Sequence, residues 1–342
     1  MRRLLVQTRK RLKRAPAGLS GARAIRHELR RLRPRRPLPS ASTRYRVLRQ
    51  AGEVASALGT DSVYFPAPSE EMDGSLAARD WTCRYLEGGT KVYAFPTLNL
   101  RTRALEQTLA RTQELSTAQA HVLDAWQTHG LPRFLQLDNA AVFCGGYKVE
   151  RVRGQFTRRC LYLGVALIFL PFAEPQHKGQ VEQLNGLWGG PAFWERHHFG
   201  GFGQVCRQSA RFVEGSMHRY RPPGLNGATP AQRQRAEHRP RLTAPLRRAL
   251  PSHLPITAGR VHFLRHVQPD GTIRLLNERW LLPKAWAGHY VWATLTTHRH
   301  TLKIWFRRDL NHDWRLITHA PYHLPEPIHK RQPPFTTVFT RS

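Results

Sequence analysis

Acidic residues are scarce in this chain. Asp and Glu number 23 against 54 Lys and Arg in 342 residues, which leaves a formal net charge of +31. So large a surplus requires a polyanion as partner, and nucleic acid precedes an anionic membrane surface as the candidate. Long apolar runs are missing too. The longest, Val165 to Phe172, falls far short of the ~20 residues of a membrane-spanning helix, so no membrane partner is expected. The opening Met1-Arg2-Arg3-Leu4-Leu5 runs on into further cations instead of an apolar signal core, which argues against export. Cysteine is limited to Cys83, Cys144, Cys160 and Cys206, with no C-x-x-C pair. That excludes a disulfide framework and suits a reducing compartment. His319 and His323 have no cysteine pair to complete a zinc site.

Cations are what the chain has in excess, and they gather first at the amino terminus. By residue 49 there are seventeen Lys and Arg and a single acid, Glu28. Ile25, Leu29 and Leu32 recur at i, i+4 and i+7, which predicts an amphipathic helix. The Gly18-Leu19-Ser20-Gly21 turn opens it and the Pro34-Arg35-Arg36-Pro37-Leu38-Pro39 stretch ends it. Ser40 or Ser42 can cap a second helix carrying Tyr45, Leu48 and Arg49. Helix, short break, helix in a segment this basic reads as a helix-turn-helix over residues 1–59, with Arg44, Arg46 and Arg49 as candidate DNA contacts. The plainer alternative is a solvated basic hairpin that touches phosphate only. Residues 60–75 hold Pro66, Pro68, Gly74 and several acids without periodicity, and read as a linker.

From residue 76 to 235 the pattern turns to mixed α/β. Trp81 to Leu86 and Lys91 to Leu98 are β-rich runs around Gly88-Gly89, a predicted hairpin, and a third strand is expected within Arg103 to Leu109. Leu115 to Gly130 reads as a helix with Ala118, Val122, Ala125 and Trp126 inward. The strand Phe134-Leu135-Gln136-Leu137 ends on Asp138. A helix over 149–163 and the apolar strand Val165 to Leu170 follow. Last comes Pro175-Gln176-His177-Lys178-Gly179-Gln180-Val181-Glu182-Gln183-Leu184-Asn185, where Val181, Leu184 and Trp188 mark the buried stripe of a helix that presents Glu182 and Asn185 along its edge.

Asp80-Trp81, Asp138-Asn139-Ala140-Ala141-Val142-Phe143 and this Glu182 segment together resemble the Asp-Asp-Glu cores of insertion-sequence transposases and retroviral integrases. The third motif is the most specific, because its Pro, Gln, Gly, Val, Glu and Asn all stand at the family's spacing. The resemblance implies an RNase H-like core whose catalytic and metal-binding acids are Asp80, Asp138 and Glu182. Glu71 and Asp73 stand near enough in sequence to rival Asp80. Three carboxylates meeting in so positive a field would hold two hard cations, Mg²⁺ first, with Mn²⁺ as substitute. Asn139 and Asn185 would support the acids. His177 and Lys178 occupy a loop where the family contacts DNA; Lys178 could equally soften repulsion between the acids. The 43 residues between Asp138 and Glu182 exceed the retroviral interval, with the excess placed in Cys144 to Gln155.

The carboxy-terminal part shows short alternating strands, plainest in Thr301 to Phe306, where Leu302, Ile304 and Phe306 share a face. We expect a small β-barrel at 256–320, joined through a Pro- and Arg-rich linker at 236–255 and followed by a flexible tail at 321–342. By resemblance the chain is a metal-dependent transposase or integrase. It would cleave a phosphodiester at an element's ends and join the 3′-hydroxyl to target DNA, acting as a dimer or higher oligomer on double-stranded DNA in the bacterial cytoplasm, at the nucleoid. Family members commonly carry another helix-turn-helix upstream, so the chain is expected to be short at its amino end. Two rivals are a catalytically inactive DNA-binding relative that represses or competes, and an RNase H-like nuclease without strand transfer.

Overall fold

The chain divides into two units, Met1–Ser62 and Val63–Ser342. The structure, a computed structural model, describes residues 2–14, 22–32, 38–51, 63–72, 75–145, 150–172, 174–190, 192–222, 224–237 and 239–330.

Among the described residues the first unit has three helices: α1 (Arg2–Arg14), α2 (Ala22–Leu32) and α3 (Ala41–Gln50). Leu5, Ile25, Leu29 and Leu48 pack together as its core. Leu32, at the frayed end of the expected stripe, is exposed instead. The sequence reading missed α1, whose Leu5 and Thr8 are buried. Ser40 caps α3, its hydroxyl accepting the Thr43 N–H at 3.1 Å. Glu28 receives hydrogen bonds from Arg11 of α1 and Arg31 of its own helix, so this acid ties two of the helices. The Gly18–Gly21 turn and the Pro34–Pro37 break lie outside the described residues.

The second unit is built on one ten-stranded mixed sheet. In chain order its first part runs α4 (Pro68–Glu71), β1 (Leu76–Arg79), β2 (Thr82–Tyr85), β3 (Lys91–Asn99), β4 (Leu105–Ala110), α5 (Leu115–His129), β5 (Phe134–Leu137), α6 (Ala141–Cys144), α7 (Gln155–Tyr162), β6 (Ala166–Phe169), α8 (Gly179–Trp188), α9 (Phe202–His218), α10 (Pro230–Ala236) and α11 (Ala244–Arg248). Then come β7 (Ile256–Thr257), β8 (Arg260–His266), β9 (Thr272–Leu275), β10 (Glu278–Leu281), β11 (Tyr290–Thr296), β12 (Thr301–Phe306), β13 (Arg315–Pro321) and β14 (Ile328–His329). The sheet order is β13-β12-β11-β8-β6-β5-β1-β3-β2, with β4 on β3. Within it, β6-β5-β1-β3-β4 is the mixed arrangement expected of an RNase H-like core.

Alternation sorts the side chains to two faces. Ala77, Leu135, Leu137, Leu167 and Phe169 pack with Val122 and Trp126 of α5 and Phe156 of α7. On the other face, Ala78 packs with Val181 and Leu184 of α8. The first strand differs from expectation. A short, wholly buried β1 precedes Asp80, so the acid lies between two strands instead of opening the first. Both β1 and β2 pair with β3 in one register that sets Asp80 opposite Pro96. Proline has no N–H to return to the Asp80 carbonyl, and the ladder breaks there.

The carboxy-terminal strands do not stand apart as a barrel. β8 pairs in parallel with β6, and β11, β12 and β13 continue outward as an antiparallel meander, so the core sheet is extended. A strand buried along five consecutive positions, as β8 is, hydrogen-bonds on both sides more readily than it edges a separate domain. Nor are the expected linkers free. Glu71 receives Arg307 at 2.7 Å and Trp314 at 3.2 Å, tying residues 63–72 to the sheet. In residues 236–255, Leu242 and Leu254 are buried, and Arg247 bonds Asp124 and Gln127 of α5. Of the expected tail, Tyr322 and Leu324 are buried and β14 pairs with β7; residues 331–342 lie outside the described ones.

The long interval before Glu182 also has a place. α7 begins at Gln155, later than expected, because the backbones of Gly145 and Gly154 touch. A Cβ on Gly145, whose φ is +97°, would lie 2.3 Å from the Gly154 nitrogen. From the loop so pinched, Arg151 reaches β10, bonding Glu278 at 2.6 Å, and its N–H donates to the Leu276 carbonyl at 3.1 Å. The extra residues dock the β9–β10 hairpin.

Candidate active site

Strand register brings the first two acids together. Parallel pairing of β1 with β5 aligns Leu76 with Phe134 and Ala78 with Gln136. Two residues on, Asp80 and Asp138 stand side by side past the strand ends, on the face that carries α8. Neighbouring strands are about 4.8 Å apart, so two carboxylates there repel unless a cation intervenes. Lys178, in the 3-10 turn that leads into α8, supplies one. Its ammonium lies 3.1 Å from Asp138 Oδ2 and 3.5 Å from Asp80 Oδ1. Asn185, two turns into α8, donates to Asp80 Oδ2 at 3.2 Å. Burial pushes the Asp80 carboxyl above the usual range; the Lys178 charge opposes that push and the Asp138 charge adds to it.

The third acid is not gathered in. Glu182 is half-buried on α8, between Lys178 and Asn185. Among the described residues no group of three or more His, Cys, Asp or Glu side chains is placed to hold a metal ion. Of the three expected acids, Asp80 and Asp138 thus share the Lys178 ammonium, and Glu182 stands outside that pair. The rival Glu71 is engaged by Arg307, Trp314 and Tyr64. Asp73 lies outside the described residues.

Asn139, next to Asp138, is held by backbone and an arginine. Its Nδ2 donates to the Leu170 carbonyl at 2.6 Å, and its Oδ1 accepts Arg265 Nη2 at 2.9 Å. The Ala140 N–H donates to Asp138 Oδ1 at 3.0 Å, closing the turn. His177 is not offered to a ligand as expected. It stacks on Phe65 with ring centroids 3.5 Å apart and bonds Glu174 at 2.9 Å and the Tyr290 hydroxyl at 3.2 Å. Burial pulls its imidazole down, against the Glu174 charge. In the amino-terminal unit, Arg44 is buried, contrary to its expected DNA contact, whereas Arg46 is exposed; the Arg49 side chain lies outside the described residues.

Two arginines escaped the sequence reading. Arg79 ends β1 and points to the face covered by α5 and α7, fully buried, over Phe95, Phe143 and Phe156 at 5.6, 5.0 and 5.1 Å. None of its nitrogens has a hydrogen-bond partner among the described residues, and burial draws its guanidinium down to about 9. The phenylalanine of the Asp138 motif, Phe143, thus walls a buried cation one residue from Asp80. Arg265 of β8 donates to the carbonyls of Arg274, Phe169, Leu170 and Leu264 as well as to Asn139. Its signal was present: it stands in the inward register of Val261 and Phe263, where an apolar residue is the rule.

Fold and site together define a mixed α/β protein with an RNase H-like strand order and a carboxylate pair at the ends of adjacent parallel strands. No family model matches the chain, and no curated protein matches it. Among solved structures it is similar to the HTLV-2 integrase catalytic core domain in complex with magnesium, at 14% identity and a TM-score of 0.32, over 46% of this chain and 93% of that one. It is similar to the BIV integrase catalytic core domain at 17% identity and a TM-score of 0.33, over 47% and 93%. A simian T-cell lymphotropic virus intasome, in complex with a PP2A regulatory subunit, is similar over 93% of this chain and 100% of that one, at 13% identity and a TM-score of 0.39.

Proposed function

We propose that this chain is a DNA transposase or integrase of the Asp-Asp-Glu type, cleaving a phosphodiester at an element's ends and transferring the freed 3′-hydroxyl to target DNA. The observation that carries the reading is the convergence of Asp80 and Asp138 on a single cation, the Lys178 ammonium, with Asn185 holding Asp80 from α8. An ammonium stands there where a metal would. Mg²⁺ is commonly held by one or two carboxylates with waters and substrate phosphate, so the hard-oxygen pair fits it.

Asp80 and Asp138 would hold the metal, and Glu182 would add the third carboxylate of a two-ion site that Mn²⁺ also fills. Bound there, divalent ions activate the attacking oxygen and stabilise the leaving one. The chain's own residues orient and neutralise. Asn185 fixes the Asp80 carboxylate, while Asn139 and Arg265 hold the turn that carries Asp138. Lys178 is placed to exchange its acids for a DNA phosphate. The net charge of +31 draws the duplex in. α2 and α3 would act as the helix-turn-helix, with Arg46 and Arg49 as candidate DNA contacts, and two element ends would require a dimer or larger assembly. The bacterial nucleoid is the setting this reading implies.

One observation favours a second reading. Lys178 spans the two acids and Glu182 stays out of their group, as suits an inactive relative that holds DNA and competes. A single assay separates the readings: joining of candidate element ends to plasmid in Mg²⁺ against EDTA, with Glu182→Gln alongside. We expect joining by the parent in Mg²⁺ only, and loss of joining with DNA binding retained in the variant. Binding without chemistry by the parent points to the inactive relative, cleavage without joining points to a nuclease, and equal joining by the variant refutes the site.

A further inference from the structure

The carboxy-terminal extension of the sheet carries a second concavity on the same face as the acids. Trp292 of β11 and Trp305 of β12 are direct cross-strand partners, and Trp314 stands edge-on to Trp292 with centroids 5.9 Å apart and planes at 79°. With Thr294, Met72 and Glu71 they line a pocket of about 320 Å³. That is the lower end of the ~300–1,000 Å³ typical of ligand sites. A register shift in the β12–β13 pairing falls between Ile304 and Trp305, the kind of irregularity that re-aims a side chain.

The polar groups around this pocket say what it excludes. Trp292 Nε1 donates inward to His262 Nδ1 at 3.1 Å, and Trp314 Nε1 donates to Glu71 at 3.2 Å, so these two indoles offer only their π faces. The one carboxylate at the wall, Glu71, is 4% exposed and paired with Arg307 at 2.7 Å. A cationic ligand would find no free acid there and would meet Lys303, whose ammonium is 6.0 Å from the Trp305 ring centroid. A bare anion is repelled by the negative π faces. What suits aromatic walls with a cation at the rim is a flat heteroaromatic ring carried on an anionic chain.

We propose that the Trp292–Trp305–Trp314 pocket binds a nucleobase of an unpaired nucleic-acid strand, by stacking, with Lys303 on an adjoining phosphate. The proposal rests on the reading of this chain as one that handles DNA. Three strand steps separate β5, which bears Asp138, from β11. At ~4.8 Å per step that is about 14 Å, a distance one strand can span from acids to pocket.

The test uses the full chain at fixed salt, a short oligothymidylate, and an abasic deoxyribose-phosphate strand of equal length. Parent protein should bind the base-bearing strand more tightly and lose tryptophan fluorescence with it, but not with the abasic strand. Trp305→Ala should weaken binding of the base-bearing strand by about tenfold or more and leave the abasic strand unaffected. Trp305→Phe keeps a ring and should retain most of the affinity, which separates stacking from damage to the fold. Equal binding of both strands by the parent, or equal losses on both in Trp305→Ala, overturns the pocket and leaves the DNA reading intact. So does a change in oligomeric state in Trp305→Ala, which would mark the face as a contact between copies. If the parent binds neither strand nor duplex, the DNA reading itself fails.

Discussion

Arg265→Met asks whether the carboxy-terminal strands are part of the active site. The guanidinium donates to four carbonyls and Asn139 Oδ1, at 2.8 to 3.3 Å, with three of the carbonyls sharing the two N–H groups of Nη1. Taken as four bonds from a charged donor at ~1.5 kcal/mol each, these contribute about 6 kcal/mol together. Against that stands burial, which with the Arg153 charge brings the group from 12.5 to about 9. At ~1.4 kcal/mol for each pKa step, that costs about 5 kcal/mol. The net loss on substitution is thus roughly 1 kcal/mol, because methionine fills the space but satisfies none of the acceptors. Thermal unfolding followed by near-ultraviolet circular dichroism should show a melting point lower by about 2–4 °C for a unit of this size. Joining activity should fall as well, since Asn139 loses the bond that fixes the Asp138 turn. Arg265→Lys should not restore either property, because an ammonium cannot reproduce the planar fork. A methionine variant as stable as the parent would mean that desolvation outweighs the bonds, and full activity would detach β8 from the site.

Two further outcomes follow from buried cations and imidazoles. Arg79 has no hydrogen-bond partner among the described residues, so Arg79→Met should be neutral or stabilising by ~1–3 kcal/mol in denaturant titration, while joining falls because positive potential beside Asp80 and Asp138 is removed. Marked destabilisation would show that the phenylalanine walls hold the charge more strongly than burial opposes it. His262 is held by burial at about 3, below its ordinary 6.5. Above 6.5 its contribution to stability is complete; as pH falls from there toward 3 the unfolded chain takes a proton that the folded chain refuses. Between about pH 7 and pH 4.5 the parent should lose ~3 kcal/mol more stability than His262→Gln, and equal losses in the two would refute the buried neutral imidazole.

The elements that periodicity could reach were legible, and partners in space were not. Strands ending on Asp138 and the helix bearing Glu182 announce themselves through alternation and the Val181, Leu184, Trp188 stripe. β1 did not, because Leu76-Ala77-Ala78-Arg79 is only four residues long and ends on a charge whose burial nothing local predicts. The barrel expectation erred for a related reason. Alternation gives a strand its two faces, not the neighbour on each edge, and the two-sided pairing of β8 was masked by His262 and Arg265 in its run. Proline-rich composition likewise suggested linkers where Phe65 and Leu242 pack down, and a flexible tail where Tyr322 does. Lys178 was read with two roles open, and only distances to both acids favour the one that offsets their repulsion.

Binding of Mn²⁺ by the full chain, followed by the loss of the free-ion signal in electron paramagnetic resonance, tests the carboxylate pair most directly. The parent should withdraw Mn²⁺ from solution in the presence of DNA ends, and a protein carrying both Asp80→Asn and Asp138→Asn should withdraw none above a DNA-only control. If the doubly substituted protein takes up Mn²⁺ as well as the parent, the metal is held elsewhere and the site is misassigned.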